Sequence, residues 1–205
     1  TEQDRKKATE EMKNFKKRPV ISIVMPTYNV DERWLHKAIQ SVQGQWYDQW
    51  ELCICDDASS DQNLLEIVKQ YVQNDEKIKA VYRTENGGIV KASNDAIAVA
   101  TGEFIGLLDN DDKLTPDALY EVVKALQEQE YDFVYSDEDK LDLEGNRCDP
   151  FFKPDWTPDL LLSENYTCHF SVYRRSLIEE LGRLTEESSG CQDYDLVLRV
   201  TEKTD

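Results

Sequence analysis

FIGLLDNDDKL (Phe104–Leu114) runs through five mostly apolar residues and then sets three carboxylates, Asp109, Asp111 and Asp112, within four positions. An apolar run of this length reads as a buried strand, and the acids mark where it emerges at a polar edge. Three like charges so close repel one another, so a positive group or a set of hydrogen-bond donors has to offset the cost. The same form recurs twice upstream. VISIVMP (Val20–Pro26) is followed by Thr27, Tyr28 and Asn29, and ELCICDD (Glu51–Asp57) ends in Asp56 and Asp57.

Helical patterns separate these runs. Trp34, Leu35, Ala38, Ile39 and Val42 fall at helical spacing, and LLEIVKQYV (Leu64–Val72) follows the cap-rich ASSDQN. KIKAVYR (Lys77–Arg83) predicts a third strand, and IVKASNDAIAVA (Ile89–Ala100) a helix after Asn86-Gly87-Gly88. Pro116 opens a helix whose inner face is Leu119, Val122, Val123 and Leu126, and DFVYS (Asp132–Ser136) predicts a fifth strand. The alternation predicts an α/β sandwich with a mostly parallel central sheet. Ligands of such sheets bind beyond the carboxyl ends of the strands, where the polar residues just named would gather.

The flanks are less regular. Residues 1–18 are highly charged and predict a peripheral helix or arm, docked through Met12 and Phe15 and closed off by Pro19. Asp137–Asp159 is polar, with Gly145 and several prolines, and predicts a long surface excursion. NYTCHFSVYRRSLI (Asn165–Ile178) predicts a strand leading into a helix, with His169 packed inside the strand, and YDLVLRVTEK (Tyr194–Lys203) a final helix.

The 205 residues carry 42 acidic and 24 basic side chains, a formal net charge of −18. That balance argues against nucleic acid or an anionic membrane as an electrostatic partner, so a phosphate ligand needs a metal or backbone amides. The five cysteines are odd in number and lack the paired spacing of a zinc site; Cys53 and Cys55 are expected as buried free thiols on one strand face. Buried free thiols predict a reducing, cytoplasmic setting, and the lack of a long apolar span or signal peptide predicts a soluble chain.

Asp109 and Asp111 give a D-x-D spacing at a strand end that suits Mn²⁺ or Mg²⁺, which bind one or two carboxylates plus substrate phosphates. Asp112 is expected instead to cap the helix near Thr115. Asp56 or Asp57, fixed at a strand end, can accept hydrogen bonds from a base or a ribose. The Glu85-Asn86-Gly87-Gly88 turn, with Lys91 and Asn94, offers amides at a helix start that suit a phosphate or a sugar; alone, a Gly-Gly pair is also a plain turn. Trp156 and Tyr166 are read either as an acceptor platform or as a satellite core.

In this order, ISIVMPTYN, CDDASSD, ENGG, LLDNDD and GCQDYDLVLR make the chain from Val20 onward resemble a family 2 glycosyltransferase of the GT-A fold, a Rossmann-like three-layer α/β/α sandwich. KPDWTPDLLLSENYTCHFSVYRRSL (Lys153–Leu177) is similar to the bacterial branch that builds cell-surface polysaccharides, rhamnosyltransferases among them. The resemblance implies a metal-dependent inverting transfer from a UDP- or dTDP-sugar to a glycan or lipid-linked acceptor, at the inner face of the plasma membrane. It implies that Pro26, Thr27 and Tyr28 line the nucleotide pocket, that Asp57 or Asp56 holds the base or ribose, and that Asn86, Gly87, Lys91 and Asn94 lie near the donor. It further implies that Asp109, with Asn110 beside it, touches the ribose or sugar, and that Asp111 ligates the metal on the diphosphate. Gln192-Asp193 stands where relatives commonly carry Glu-Asp, so Asp193 is implied as the base; its structural alternative is an N-cap of the last helix. Relatives usually continue past TEKTD to a histidine that completes the metal site, so residues 19–205 are expected to form a truncated domain of a longer protein. The rivals are a nucleotidyltransferase, which normally needs a basic glycine-rich loop that PTYNVDERW lacks, and a binding module that has lost turnover.

Overall fold

The computed structural model describes residues 1–142 and 144–204. Four strands, β1 (Ile21–Thr27), β2 (Trp50–Asp56), β3 (Ile78–Tyr82) and β4 (Phe104–Leu107), are mutually parallel. β5 (Phe133–Tyr135) closes the far side, and β8 (Ser171–Arg174) lies between β4 and β5, antiparallel to both, giving the order β3-β2-β1-β4-β8-β5. The alternation of Ile21, Ile23 and Met25 with Val24 along β1, and of Leu52 and Ile54 with Cys53 and Cys55 along β2, sends side chains into two separate cores. Burial on both faces is why these strands read as continuous apolar runs.

One core is covered by α2 (Glu32–Gln43), α3 (Gln62–Asn74) and α5 (Ala118–Glu128), through residues such as Leu35, Ile39, Leu64, Val68, Leu119 and Val123. Asp31 and Asp61 cap α2 and α3 through side chains that accept from Arg33 N and Asn63 N, both at 2.9 Å. The opposite core is covered by α4 (Ile89–Val99), α7 (Arg175–Glu180) and α8 (Gln192–Thr201), through Val90, Ile97, Ile178, Leu196 and Val200. α1 (Glu2–Met12) docks on the first layer: Ala8 and Met12 are buried, Phe15 stacks on Tyr120 with ring centroids 6.0 Å apart, and Gln127 holds the backbone of Lys16 and Lys17. Cys53 and Cys55 are buried free thiols, and burial pushes each up to about 12.

The second half departs from the sequence reading in two ways. The polar excursion contains a hairpin of β6 (Glu138–Leu141) and β7 (Arg147–Phe151), followed by the short α6 (Pro158–Leu161). The expected strand after Asn165 is only four residues long and begins beyond His169. Its direction follows from the connection. A parallel return from β5 needs a crossover of a dozen or more residues, usually a long helix, to regain the amino edge. The chain has only the hairpin and one helical turn, stays at the carboxyl edge, and enters the sheet from that side. Cys168 and His169 are thereby left at the edge where the acids gather. Phe170 then packs its ring over Gly106 of β4, where an added Cβ would stand 2.4 Å from the ring.

At the amino edge Glu51 ties the sheet together. It accepts from Ser22 Oγ (2.7 Å), Lys79 Nζ (2.6 Å) and the backbone N–H groups of Thr101 (2.5 Å) and Gly102 (3.2 Å). Burial pulls its pKa up, but Lys79, Ser22 and Thr101 outweigh that and hold it at about 2 against an ordinary 4.5. The depressed value means the stabilisation is complete above about pH 4.5 and disappears as the pH falls toward 2. Glu51→Gln is expected to cost up to about 3 kcal/mol at pH 7, from 1.36 kcal/mol per pKa unit. Urea denaturation of both proteins should show the gap closing between pH 4.5 and 2; a gap independent of pH would mean the charge is not what matters.

Candidate active site

An open cleft of about 110 Å³ lies at the carboxyl edge, between β1, the start of α4, the end of β4, the Cys168-His169 segment and the first turn of α8. Asp109 and Asp193 both line it, although 84 positions separate them, because β4 ends and α8 begins at the same edge.

The two adjacent acids at the end of β2 differ sharply in their surroundings. Asp57 is buried, and its carboxylate accepts from Gly87 N (2.9 Å) and Gly88 N (2.7 Å) while pairing with Arg83 Nε at 2.9 Å. The glycine amides expected to be free for a phosphate are therefore already bound to Asp57, and Asn86 adds a bond from Nδ2 to the Asp57 carbonyl at 3.3 Å. A Cβ on Gly87 would lie 2.6 Å from Arg83 Nη2 and 2.8 Å from Lys91 Cδ, so a side chain there would displace both. Gly88, at φ +84°, turns the chain into α4.

Asp56 accepts from Ser59 N with one oxygen, while its Oδ1 and the nearby Thr27 Oγ1 are buried without a hydrogen-bond partner. Buried polar atoms left unpaired cost about 1–3 kcal/mol each, so these two are groups a ligand could satisfy. Pro26 lines the cleft, and its carbonyl accepts from Asn110 Nδ2 at 2.9 Å, which braces β1 to the acid loop. Tyr28 is half exposed. Lys91 pairs with Glu186 at 3.3 Å, and Asn94 uses both ends of its amide on the backbone of Leu184, at 2.9 and 3.1 Å. In this arrangement Asn94 is a bracket between α4 and the chain after α7.

At the end of β4 the structure revises two expectations. Asp112 does not cap the next helix, which starts at Ala118 behind Asp117. His169 is not packed inside a strand; it precedes β8. Its ring faces both acids, Nε2 3.8 Å from Asp109 Oδ2 and Nδ1 3.6 Å from Asp112 Oδ2. Those separations are too long for hydrogen bonds, so the three groups face one another without satisfying one another. Asp109, Asp112 and His169 can each turn one ligand atom toward a common point. Two carboxylates and an imidazole suit Mn²⁺ or Mg²⁺, so the residues present fit a divalent cation. The exposed Asp111 stands outside this cluster. Burial pushes Asp109 and Asp112 above the usual carboxylate range, His169 opposes this, and the neighbouring acids add to it.

Asp193 does not cap α8, whose N-cap is Cys191. Its carboxylate instead accepts from Asn165 Nδ2 at 2.8 Å, and Asn165 is in turn oriented by Thr167, whose hydroxyl donates to Oδ1 at 3.1 Å. Burial, then the charge of Asp193, pushes the Cys168 thiol up to about 12, so it stays protonated beside the acid. Gln192 Oε1 accepts from Gly190 N at 2.9 Å and serves the turn. Tyr166 is buried with Leu161 and Val197 in a satellite core, whereas Trp156 is exposed. His169, Asp112 and Asn165 were missed from sequence because each acts across a non-local contact; the usable signal was the lack of a crossover helix before β8.

A mostly parallel sheet whose carboxyl edge gathers acids around one open cleft defines a GT-A type of glycosyltransferase domain. The chain belongs to glycosyl transferase family 2, which residues 22–182 match. It is 39% identical over 198 residues to the O-antigen biosynthesis protein RfbC of Myxococcus xanthus, covering 96% of this chain and 16% of that protein. It is 32% identical to the chondroitin synthase of Escherichia coli, covering 97% of this chain and 29% of the synthase. Residues 1–349 of S. aureus TarS superpose with a TM-score of 0.68 at 26% identity, covering 85% of this chain and 52% of that fragment; the same fragment has also been solved with UDP and with UDP-GlcNAc. The chain thus spans less than a third of the length of these curated relatives.

The bond pattern at Asp57 has a direct consequence. Asp57→Ala is expected to destabilise the domain by about 1–3 kcal/mol, since it leaves two amides without their acceptor and removes one of the two carboxylates paired with Arg83. Hydrogen exchange should then accelerate at Gly87 and Gly88 more than along β1. Unchanged exchange at both glycines would show that the amides are held by something else.

Proposed function

We propose that the domain transfers a sugar from a nucleotide-diphosphate sugar, UDP- or dTDP-linked, to a glycan or lipid-linked acceptor in polysaccharide synthesis, with inversion at the anomeric carbon. The observation that carries this reading is the pair of acidic groups facing one cleft: the Asp109, Asp112 and His169 cluster on one side and Asp193 on the other. The names of the relatives, RfbC and chondroitin synthase, support the polysaccharide setting.

The roles follow from what each group has left to offer. Thr27 Oγ1 and Asp56 Oδ1, unpartnered at the ends of β1 and β2, take polar edges of the nucleotide, with Pro26 and Tyr28 alongside. Asp57, Asn86, Gly87 and Asn94 hold the walls of that pocket, and Lys91 stands at its rim. Asp109 and Asp112 with His169 hold Mn²⁺ or Mg²⁺, and Asp111 is a further carboxylate within reach of the same loop. When bound, the cation neutralises charge on the leaving diphosphate. Asp193, held by Asn165, accepts the acceptor hydroxyl proton as that oxygen bonds to the anomeric carbon and the bond to the diphosphate oxygen breaks. One displacement of this kind inverts the configuration.

No helix among the described residues is long and apolar enough to cross a membrane. We place the domain in the cytoplasm at the inner face of the membrane, reached through its acceptor or through other parts of a longer protein, since a net charge of −18 gives no attraction to an anionic leaflet.

Calorimetric titration of UDP and of dTDP, with and without Mn²⁺, tests the reading. Mn²⁺ should tighten one nucleotide at least about tenfold, and Asp109→Ala should abolish the gain. Asp193→Asn should keep nucleotide binding while sugar release from the matching donor falls by about 10²-fold or more. If neither nucleotide responds to metal, the proposal fails.

A further inference from the structure

We infer that Lys153 is a positioning residue that fixes the backbone around His169 and thereby sets the affinity of the domain for a divalent cation. The inference rests on the metal reading above.

The side chain of Lys153 is 1% exposed. A lysine is almost never buried to this degree unless its charge is paired and its three donors find acceptors. Here they do. The ammonium donates to the carbonyl oxygens of Cys168 and of His169, the latter at 2.5 Å, and pairs with Glu138 Oε2 at 3.0 Å. Those two carbonyls belong to the peptide planes on either side of the His169 Cα. Holding both planes fixes the two backbone angles of that residue, and so the direction in which its ring leaves the chain.

The restraint is needed because His169 has φ +43°, in the left-handed region that a residue with a side chain seldom adopts unaided. The anchor is itself anchored. Lys153 N donates to Asp137 Oδ1 at 2.8 Å, and the carbonyl of Pro154 accepts from Tyr135 Oη at 2.8 Å. Glu138 opens β6, and Lys153 follows β7 by two positions, so the base of the hairpin is one rigid support. Among the described residues, Lys153 bonds to neither Asp109 nor Asp112, which leaves His169 as its route to them.

Mn²⁺ titration followed by electron paramagnetic resonance, on the 205-residue chain and its variants, tests this. His169→Ala should weaken Mn²⁺ binding about tenfold or more, and Lys153→Met should do the same with a native circular dichroism spectrum. The double variant should bind no more than about twofold more weakly than His169→Ala, because the lysine acts through the histidine. A Lys153→Met protein that binds Mn²⁺ like the wild type, beside a weakened His169→Ala, overturns the inference and leaves the metal reading standing. Additive losses in the double variant overturn it as well. Wild-type affinity in His169→Ala overturns the metal reading and this inference with it. If Lys153→Met does not fold, Lys153→Arg replaces it. The planar guanidinium keeps the charge but does not reproduce three contacts diverging from one nitrogen. The same tenfold loss is expected, and unchanged affinity overturns the inference.

Discussion

Acids collected at one edge of a parallel sheet have to be neutralised there, and the rest of this domain is arranged around that requirement. Two unit charges 4 Å apart interact by about 4 kcal/mol at an effective dielectric of 20, against a total stability of about 5–15 kcal/mol for a typical domain. Packing elsewhere cannot absorb several such repulsions, so each carboxylate needs its own compensation. Asp57 has two glycine amides and Arg83, and Asp193 has the amide of Asn165. Among the described residues, Asp109 and Asp112 have only the basic partner His169 facing them, at distances too long for a hydrogen bond. The pair compensated least is the pair suited to an external cation.

His169 reaches that position because β8 runs against its neighbours. Had a long helix followed β5, the next strand would have entered from the amino edge and its leading residues would have faced away from Asp109. The reversal also brings Phe170 onto Gly106 and Lys153 beneath the carbonyls of Cys168 and His169. The loop is thus held from the sheet side by an aromatic ring and from the hairpin side by an ammonium. A functional side chain on a loop keeps its geometry when neighbours fix its backbone in this manner.

The first four strands, their helices and the gathering of acids were legible in sequence, because period and run length report local burial and parallel topology does the rest. VISIVMP and ELCICDD are apolar on both faces, and the structure puts a core against each face. Asp112 and His169 were misread for one reason: their roles depend on which strand lies beside β4, and that neighbour comes from more than 60 positions away. The Glu85–Gly88 turn was misread for a related reason. Sequence shows free amides at a helix start but not that Asp57, at the end of another strand, arrives to occupy them.

The contrast between the two adjacent acids after β2 shows how structural and ligand-directed carboxylates separate. Asp57 has both carboxylate oxygens occupied, each by a glycine amide and one also by the Arg83 ion pair, and its removal is expected to damage the turn. Asp56 is equally buried yet keeps one oxygen unpaired, next to an unpaired hydroxyl of Thr27. A fold selected for stability alone gains nothing by leaving two such atoms dry, since each costs as much as a lost hydrogen bond. The two stand in register at the carboxyl ends of β1 and β2, next to Pro26 of the cleft, and it is from there that the proposed nucleotide would supply the missing partners.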